Sequence, residues 1–238
     1  MAWPYPRIVA HRGGGSLASE NTLGALRRGA ALGFRGVEFD VMLAAGGVPV
    51  LIHDETTERT TGVKGRVPLM TPAQLQNLDA GDGEGVPSFE QAAHLCRKLE
   101  LWPNVEIKPA AGHETATGGM VARMARELWR GAPLAPVLSS FSVVALLAAQ
   151  EAAPELPRGY LCDEIPDHWE ATMKRLGCVS LHANHKKLDE ASARAVREAG
   201  YALVCWTVND PATARRLLGW GADCIITDAL RDIPPGFS

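Results

Sequence analysis

Short apolar segments alternate with capped, helix-period segments along the length of this chain, and that alternation limits its fold more than any other feature. Extended segments are read at Ile8–Arg12, Gly36–Val41, Val50–Ile52, Val105–Lys108, Val137–Ser139, Gly159–Cys162, Val179–His182, Leu203–Val208 and Cys224–Thr227. The helices between them carry physical start and stop signals. Asn21 is suited to cap a helix that runs through Leu32 and stops at Gly33. Thr71-Pro72 places proline at the favoured first helical position, and Ser88-Phe89-Glu90-Gln91 has capping-box spacing. Further helices are expected over Val143–Ala149, Asp167–Gly177 and Asp189–Gly200, with another opened by Asp210-Pro211. Arg123, Arg126 and Arg130 lie at helical spacing with Met120, Met124 and Leu128, a solvated face beside a core face.

Strands alternating with helices argue for a parallel sheet with helices outside it. A chain of 238 residues with 46% hydrophobic content suits a TIM (β/α)8 barrel spanning residues 1–238 as one domain, since such barrels run to about 250 residues. Nine candidate strands exceed the eight a barrel needs, so one is expected to be accessory. Suspicion falls on the connection from Asp40 to His53, which holds Gly46-Gly47 and no helix-period segment. It is short for a parallel crossover, and this unit between the second and third extended segments is expected to lack its regular helix. An open doubly wound sheet would bind its ligand through a G-x-G-x-x-G turn. His11-Arg12-Gly13-Gly14-Gly15 is glycine-rich without that spacing, which favours the barrel.

A formal net charge of −3 offers no footprint for nucleic acid or an anionic membrane surface. Cys96, Cys162, Cys178, Cys205 and Cys224 are odd in number, scattered and without a C-x-x-C pair, so neither a disulfide framework nor a zinc site is suggested. The stretch from Met1 to Arg7 lacks an apolar signal core, and no segment approaches the roughly 20 apolar residues that span a bilayer. A reducing cytoplasm without stable membrane association is the expected setting.

Glu38 and Asp40 stand two apart in Gly36–Val41, so a strand points both carboxylates to one face. Buried carboxylates are costly unless a cation or a dense hydrogen-bond network meets them, and a divalent metal does so directly. An edge strand with a solvated acidic face is the simpler alternative. Val105-Glu106-Ile107-Lys108 repeats the pattern with one anion and one cation, for which a buried ion pair is the simpler alternative. His11-Arg12 closes the first extended segment and His53-Asp54 the third. Four apolar segments thus deliver charged groups and histidines at or near their ends, which points to a shared site.

In order along the chain, His11-Arg12-Gly13, Glu20-Asn21-Thr22, Glu38-Phe39-Asp40-Val41, Pro49 to Asp54, Thr57 to Gly62, Glu106-Ile107-Lys108, Ser140-Phe141-Ser142, Trp206 to Asn209 and Gly221 to Asp228 resemble the glycerophosphodiester phosphodiesterase family. The compact chain is more similar to its cytoplasmic bacterial members than to its periplasmic ones. The resemblance implies a TIM barrel whose metal-dependent site hydrolyses a small-molecule glycerophosphodiester to glycerol 3-phosphate and an alcohol. It further implies that Glu38, Asp40 and Glu106 ligate one divalent cation, and an all-oxygen set suits Mg²⁺, Ca²⁺ or Mn²⁺. Arg12 and Lys108 match phosphate-binding cations, and His11 and His53 match the general acid and base, which imidazoles can supply near neutral pH. Glu20 and Asn21 are accounted for by helix capping and support of Arg12. Trp206 offers an apolar wall for substrate or simply core, and His182 and Asn184 close another strand without a role in the resemblance. A phospholyase on the same barrel, giving a cyclic phosphate, and a non-catalytic metal- and phosphate-binding module remain open alternatives.

Overall fold

The computed structural model describes residues 3–238; Met1 and Ala2, which open the N-terminal stretch read above, lie outside the described residues. Among the described residues there are nine strands: β1 (Ile8–Ala10), β2 (Gly36–Leu43), β3 (Pro49–Leu51), β4 (Trp102–Ile107), β5 (Val137–Ser140), β6 (Arg158–Cys162), β7 (Ser180–Asn184), β8 (Ala202–Trp206) and β9 (Cys224–Thr227). They alternate with nine α-helices: α1 (Leu23–Ala31), α2 (Glu58–Thr61), α3 (Pro72–Gln76), α4 (Phe89–Lys98), α5 (Glu114–Leu128), α6 (Val143–Ala152), α7 (Trp169–Leu176), α8 (Glu190–Glu198) and α9 (Pro211–Gly219). The strand order β1-β9-β8-β7-β6-β5-β4-β2 is closed by β1 pairing with β2, and each of these pairings is parallel. This is the eight-stranded TIM barrel.

The ninth strand is the accessory one. β3 runs antiparallel to the far end of β2, with Val41 opposite Leu51 and Leu43 opposite Pro49. The β2–β3 connection is therefore a hairpin, not a crossover, and needs no helix. Its turn passes through Gly46 and Gly47 at φ 77° and 75°, a backbone region open to glycine because it has no Cβ. His53 consequently reaches the site from an arm beside the barrel, not from the end of a barrel strand. Beyond it, Met42, Val50, Ile52, Val67, Leu75 and Val86 form a small apolar cluster that anchors the arm and the segment following it.

Side-chain alternation divides the rest of the core into two shells. Phe39, Val41, Val105, Ile107, Leu138, Leu181, Leu203 and Ile225 point outward against Leu26, Phe89, Val121, Leu146, Met173, Val196 and Leu217 of the surrounding helices. Val9, Trp102, Val137, Val204, Cys224 and Ile226 fill the inside, and Tyr5 stacks on Trp102 with ring centroids 4.4 Å apart. Each fully buried aliphatic or aromatic side chain contributes about 1.5–3 kcal/mol. The inner set fills the barrel from below up to Ile226, which leaves the inward positions nearer the C-termini of β2 and β4 for polar groups.

Two local expectations need correction. Thr22, not Asn21, caps α1, accepting from Ala25 N at 3.0 Å. In α5 Arg123 and Arg130 are exposed and Met124 and Leu128 pack partly buried against the core as read, but the fully buried face is Thr117, Gly118, Gly119, Val121, Ala122 and Ala125, and Arg126 donates to Ala152 O at 3.0 Å.

One close approach ties α1 to the loop that follows β1. A Cβ built on Gly29 would lie 2.3 Å from the Gly13 carbonyl oxygen, a backbone atom that cannot swing aside. Gly29→Ala is expected to destabilise the protein by about 1–3 kcal/mol, the usual range for overpacking. Urea denaturation with an unchanged m-value checks it.

Candidate active site

A cavity of about 220 Å³ opens at the C-terminal ends of the barrel strands. His11, Arg12, Glu38, Asp40, His53, Glu106, Lys108 and Trp206, the residues singled out from the sequence, all line it. Parallel pairing of β2 with β4 sets Asp40 beside Glu106 and Glu38 beside Asn104. Because inward positions recur every second residue, neighbouring strands in this register bring three carboxylates into one space. Ligand oxygens of Glu38, Asp40 and Glu106 all lie within 4.8 Å of one another.

That proximity is electrostatically costly. Burial, and after it the charge of Asp40, pushes both the Glu38 and the Glu106 carboxyl above the usual carboxylate range. Two cations answer part of the charge. Lys108 Nζ donates to Glu106 Oε1 at 2.9 Å and lies 3.8 Å from Asp40 Oδ1. Arg12 Nε lies 3.6 Å from Asp40 Oδ2, and the Arg12 backbone N–H donates to Glu38 Oε2 at 3.0 Å. Arg12 has φ 50°, a left-handed conformation that costs a non-glycine residue about 1–3 kcal/mol and persists only where its surroundings hold it. Glu38 on one side and the Asn21 N–H, which donates to Arg12 O at 3.1 Å, hold it here.

Asn21, instead of capping α1, contacts the triad directly. Its own φ of 58° turns the side chain inward, where Nδ2 donates to Asp40 Oδ2 at 2.9 Å and Oδ1 accepts from Asp40 N at 3.0 Å. Glu20 supports Arg12 as expected, accepting from Nη1 at 2.8 Å. Glu38 Oε1 is buried with no hydrogen-bond partner in the protein. An unpartnered carboxylate oxygen in an all-oxygen triad that carries more negative charge than its two neighbouring cations offset fits a hard divalent cation.

Each histidine is held by an aspartate. His11 Nδ1 lies 2.7 Å from Asp228 Oδ1, and His53 Nδ1 lies 2.6 Å from Asp54 Oδ1. An ionised carboxylate at Nδ1 assigns the proton there and leaves Nε2 for chemistry. His11 Nε2 is 3.8 Å from Glu38 Oε2. Burial works to lower the His11 pKa, but the Asp228 hydrogen bond and the Glu38 and Asp228 charges outweigh it, and the net direction is upward. Asp228 is itself fixed by Asn209, whose Oδ1 accepts from Asp228 N at 2.8 Å.

The opposite side of the cavity is apolar. Trp206 and Phe141 meet edge to face with centroids 5.4 Å apart, next to Leu161, and the Trp206 indole N–H donates to His182 O at 3.1 Å. His182 itself stays out of the cavity, fully buried, hydrogen-bonded to Ser180 Oγ at 2.8 Å and pushed down to about 3 by desolvation. Asn184 pairs with Asp163 at the rim. The cavity also receives Asn104 and Phe141, which carried no individual assignment in the sequence, while Asp228 enters as the partner of His11.

Comparison with known proteins agrees with this arrangement. The model of the glycerophosphoryl diester phosphodiesterase family matches residues 11–231. A glycerophosphodiester phosphodiesterase from Caldanaerobacter subterraneus is 30% identical over 230 residues, covering 93% of each chain. Among solved structures, an Oleispira antarctica phosphodiesterase in complex with the product sn-glycerol-3-phosphate superposes with a TM-score of 0.89 at 32% identity, covering 94% of both chains. A glycerophosphodiester phosphodiesterase from Agrobacterium tumefaciens reaches 0.79 at 25% identity, covering 95% of this chain and 99% of the other. Matched from His11 to Arg231 and alike in barrel and sequence to enzymes of this kind, the chain belongs to the glycerophosphoryl diester phosphodiesterase family.

Proposed function

We propose that this enzyme hydrolyses glycerophosphodiesters to glycerol 3-phosphate and an alcohol, with one divalent cation held by Glu38, Asp40 and Glu106. The observation that carries the proposal is the buried carboxylate triad flanked by Arg12, Lys108 and two aspartate-held histidines around one cavity. The sn-glycerol-3-phosphate bound by the Oleispira relative supports the choice of product. When bound, the cation neutralises phosphate charge and polarises a phosphoryl oxygen.

The protein's own groups do the rest. Arg12 offers a planar fork to two phosphate oxygens, while Lys108 adds a compact charge already directed at the triad. Of His11 and His53, one takes a proton from the attacking nucleophile at Nε2 and the other returns one to the departing alkoxide. Phe141 and Trp206 present apolar surface to the carbon skeleton of the substrate. The compartment we propose is the reducing cytoplasm. Its support is that the five cysteines are buried and unpaired.

The decisive experiment follows glycerol 3-phosphate release from a panel of glycerophosphodiesters after chelation and metal add-back. Chelation is expected to abolish turnover and Mg²⁺, Mn²⁺ or Ca²⁺ to restore it; full activity in a chelated sample would sink the metal-dependent reading. Phosphorus NMR of the product distinguishes the hydrolase from a phospholyase, which would leave a cyclic phosphate.

Variants divide the roles. His11→Ala and His53→Ala are each expected to lower kcat by roughly 10²–10⁴-fold, the usual worth of general acid–base catalysis, with little change in cation affinity. Asp40→Ala is expected to remove cation binding in calorimetry while the barrel stays folded, because deleting one of three repelling carboxylates relieves the metal-free protein. Loss of cation binding in the histidine variants would make them ligands instead.

The raised carboxyls also predict how the metal-free protein responds to pH. A carboxyl whose folded pKa lies above its unfolded value binds protons preferentially in the folded state. Its stabilising contribution is fully present below the unfolded pKa and is lost as pH rises through the folded one. For Glu38 and Glu106 that loss falls above the ordinary carboxylate range. With chelator present, the melting midpoint is therefore expected to fall as pH rises from mildly acidic through neutral, and saturating Mg²⁺ is expected to remove that slope. A midpoint indifferent to pH in the chelated protein contradicts it.

A further inference from the structure

His53 approaches the cavity from the antiparallel arm, whereas His11, Arg12 and the carboxylates are carried by the barrel. Something must fix one relative to the other. Arg59, on the short helix α2, donates through Nη1 and Nη2 to the two oxygens of Glu20 at 2.8 and 2.7 Å. Its Nε donates to Asp54 Oδ2 at 2.5 Å. Glu20 lies in the loop after β1 and accepts from Arg12 Nη1, while Asp54 lies on the arm and holds the His53 ring. An unbroken chain of charged hydrogen bonds thus runs Arg12, Glu20, Arg59, Asp54, His53.

We propose that Arg59 is a positioning residue that clasps the arm to the barrel and so fixes the separation of the His53 imidazole and the Arg12 guanidinium across the phosphate site. The inference rests on the roles given to His53 and Arg12 under the proposed function. No other cation among the described residues bonds Asp54 Oδ2 or Glu20 Oε2, so without Arg59 two like charges face each other at the junction. The same guanidinium hydrogen bond is the largest influence on Asp54, whose pKa is pulled down to about 2, a sign of how closely the two groups are coupled. Exposure sets the kind of effect to expect. The Arg59 side chain is 49% exposed, and ion pairs of that kind add little to stability. A planar fork holding three carboxylate oxygens nevertheless fixes geometry, and lysine, a single point charge, cannot reproduce it.

The test is a double-mutant cycle on Arg59 and His53, with glycerophosphocholine as substrate, Mg²⁺ saturating, and melting curves for every variant. Arg59→Ala in the wild-type background is expected to lower kcat by about 10²-fold, the scale set by an ångström of misplacement, with the melting midpoint little changed. Arg59→Lys is expected to lose most of the same activity. In a His53→Ala background, Arg59→Ala is expected to change kcat by less than about threefold, because the group it positions is gone. Equal fold losses in both backgrounds, full activity in Arg59→Lys, or a loss that follows a large drop in melting midpoint overturns the clasp. Should Arg59→Ala fail to fold, the cycle run with Arg59→Lys decides by the same criteria. A His53→Ala variant with wild-type kcat defeats the acid–base reading and this inference with it. A strongly impaired His53→Ala with additive Arg59 losses defeats this inference alone.

Discussion

Mutual repulsion among three carboxylates in one buried space is the constraint to which the upper half of this barrel is fitted. Glu38 and Asp40 are almost wholly removed from solvent at 3% and 1% exposure, and β4 sets Glu106 beside them. Isolated buried carboxylates cost several kcal/mol each or else take up protons, so their persistence needs compensating charge and donors. Arg12 and Asn21 supply these from the loop after β1 and Lys108 from the end of β4, and the left-handed backbone at Arg12 and Asn21 lets the two ends of that loop face the triad. Their sum still leaves the anions in excess and Glu38 Oε1 without a partner.

The remainder of the scaffold makes that arrangement affordable without sharing in the chemistry. An inner apolar layer capped by Tyr5 and Trp102 excludes water from the lower barrel, and the outer shell fixes each strand against its helix. Rigid strands hold the carboxylates at spacings that a loop would not maintain. Even the exception, the Gly13 loop that presents Arg12, is braced from behind by the close approach of Gly29.

What could be read from the sequence was whatever depends on local spacing. The two-residue separation of Glu38 and Asp40, the alternation of strands with capped helices, and the glycine pair in the hairpin turn all express periods of a few residues, and each has its counterpart in the fold. The direction of β3 was legible only from the length of its connection, which is short for a parallel crossover, and not from the strand itself. β3 has only three residues, and an antiparallel partner looks the same as a parallel one at that length. Asn21 and Thr22 are both good helix caps, and adjacency alone could not say that asparagine, which tolerates the left-handed region, would yield the cap and turn to Asp40. The pairing of His11 with Asp228 spans 217 residues and exists only because β1 closes against β9. Arg59 sat inside the Thr57–Gly62 stretch that carried part of the family resemblance, but no local period showed its role, because its two partners lie 5 and 39 residues away.

Barrel geometry also explains why one histidine comes from outside the ring. Neighbouring barrel strands are about 4.8 Å apart, so the groups at the ends of β1, β2 and β4 crowd one side of the mouth, while β6 and β8 face them with the apolar Leu161 and Trp206. A phosphodiester under in-line attack needs proton transfer at an entering and at a departing oxygen, which lie on opposite sides of phosphorus. His11 occupies a strand end among the carboxylates, 3.8 Å from Glu38. On the acid–base roles proposed for the two histidines, His53 is the one that stands off from that cluster. Met42 and Leu43 run beyond the β4 pairing and the chain turns back as β3, which carries His53 on an arm with its own apolar anchor. An arm gains reach at the expense of rigidity, and the charged junction through Arg59 restores part of what the barrel would have provided.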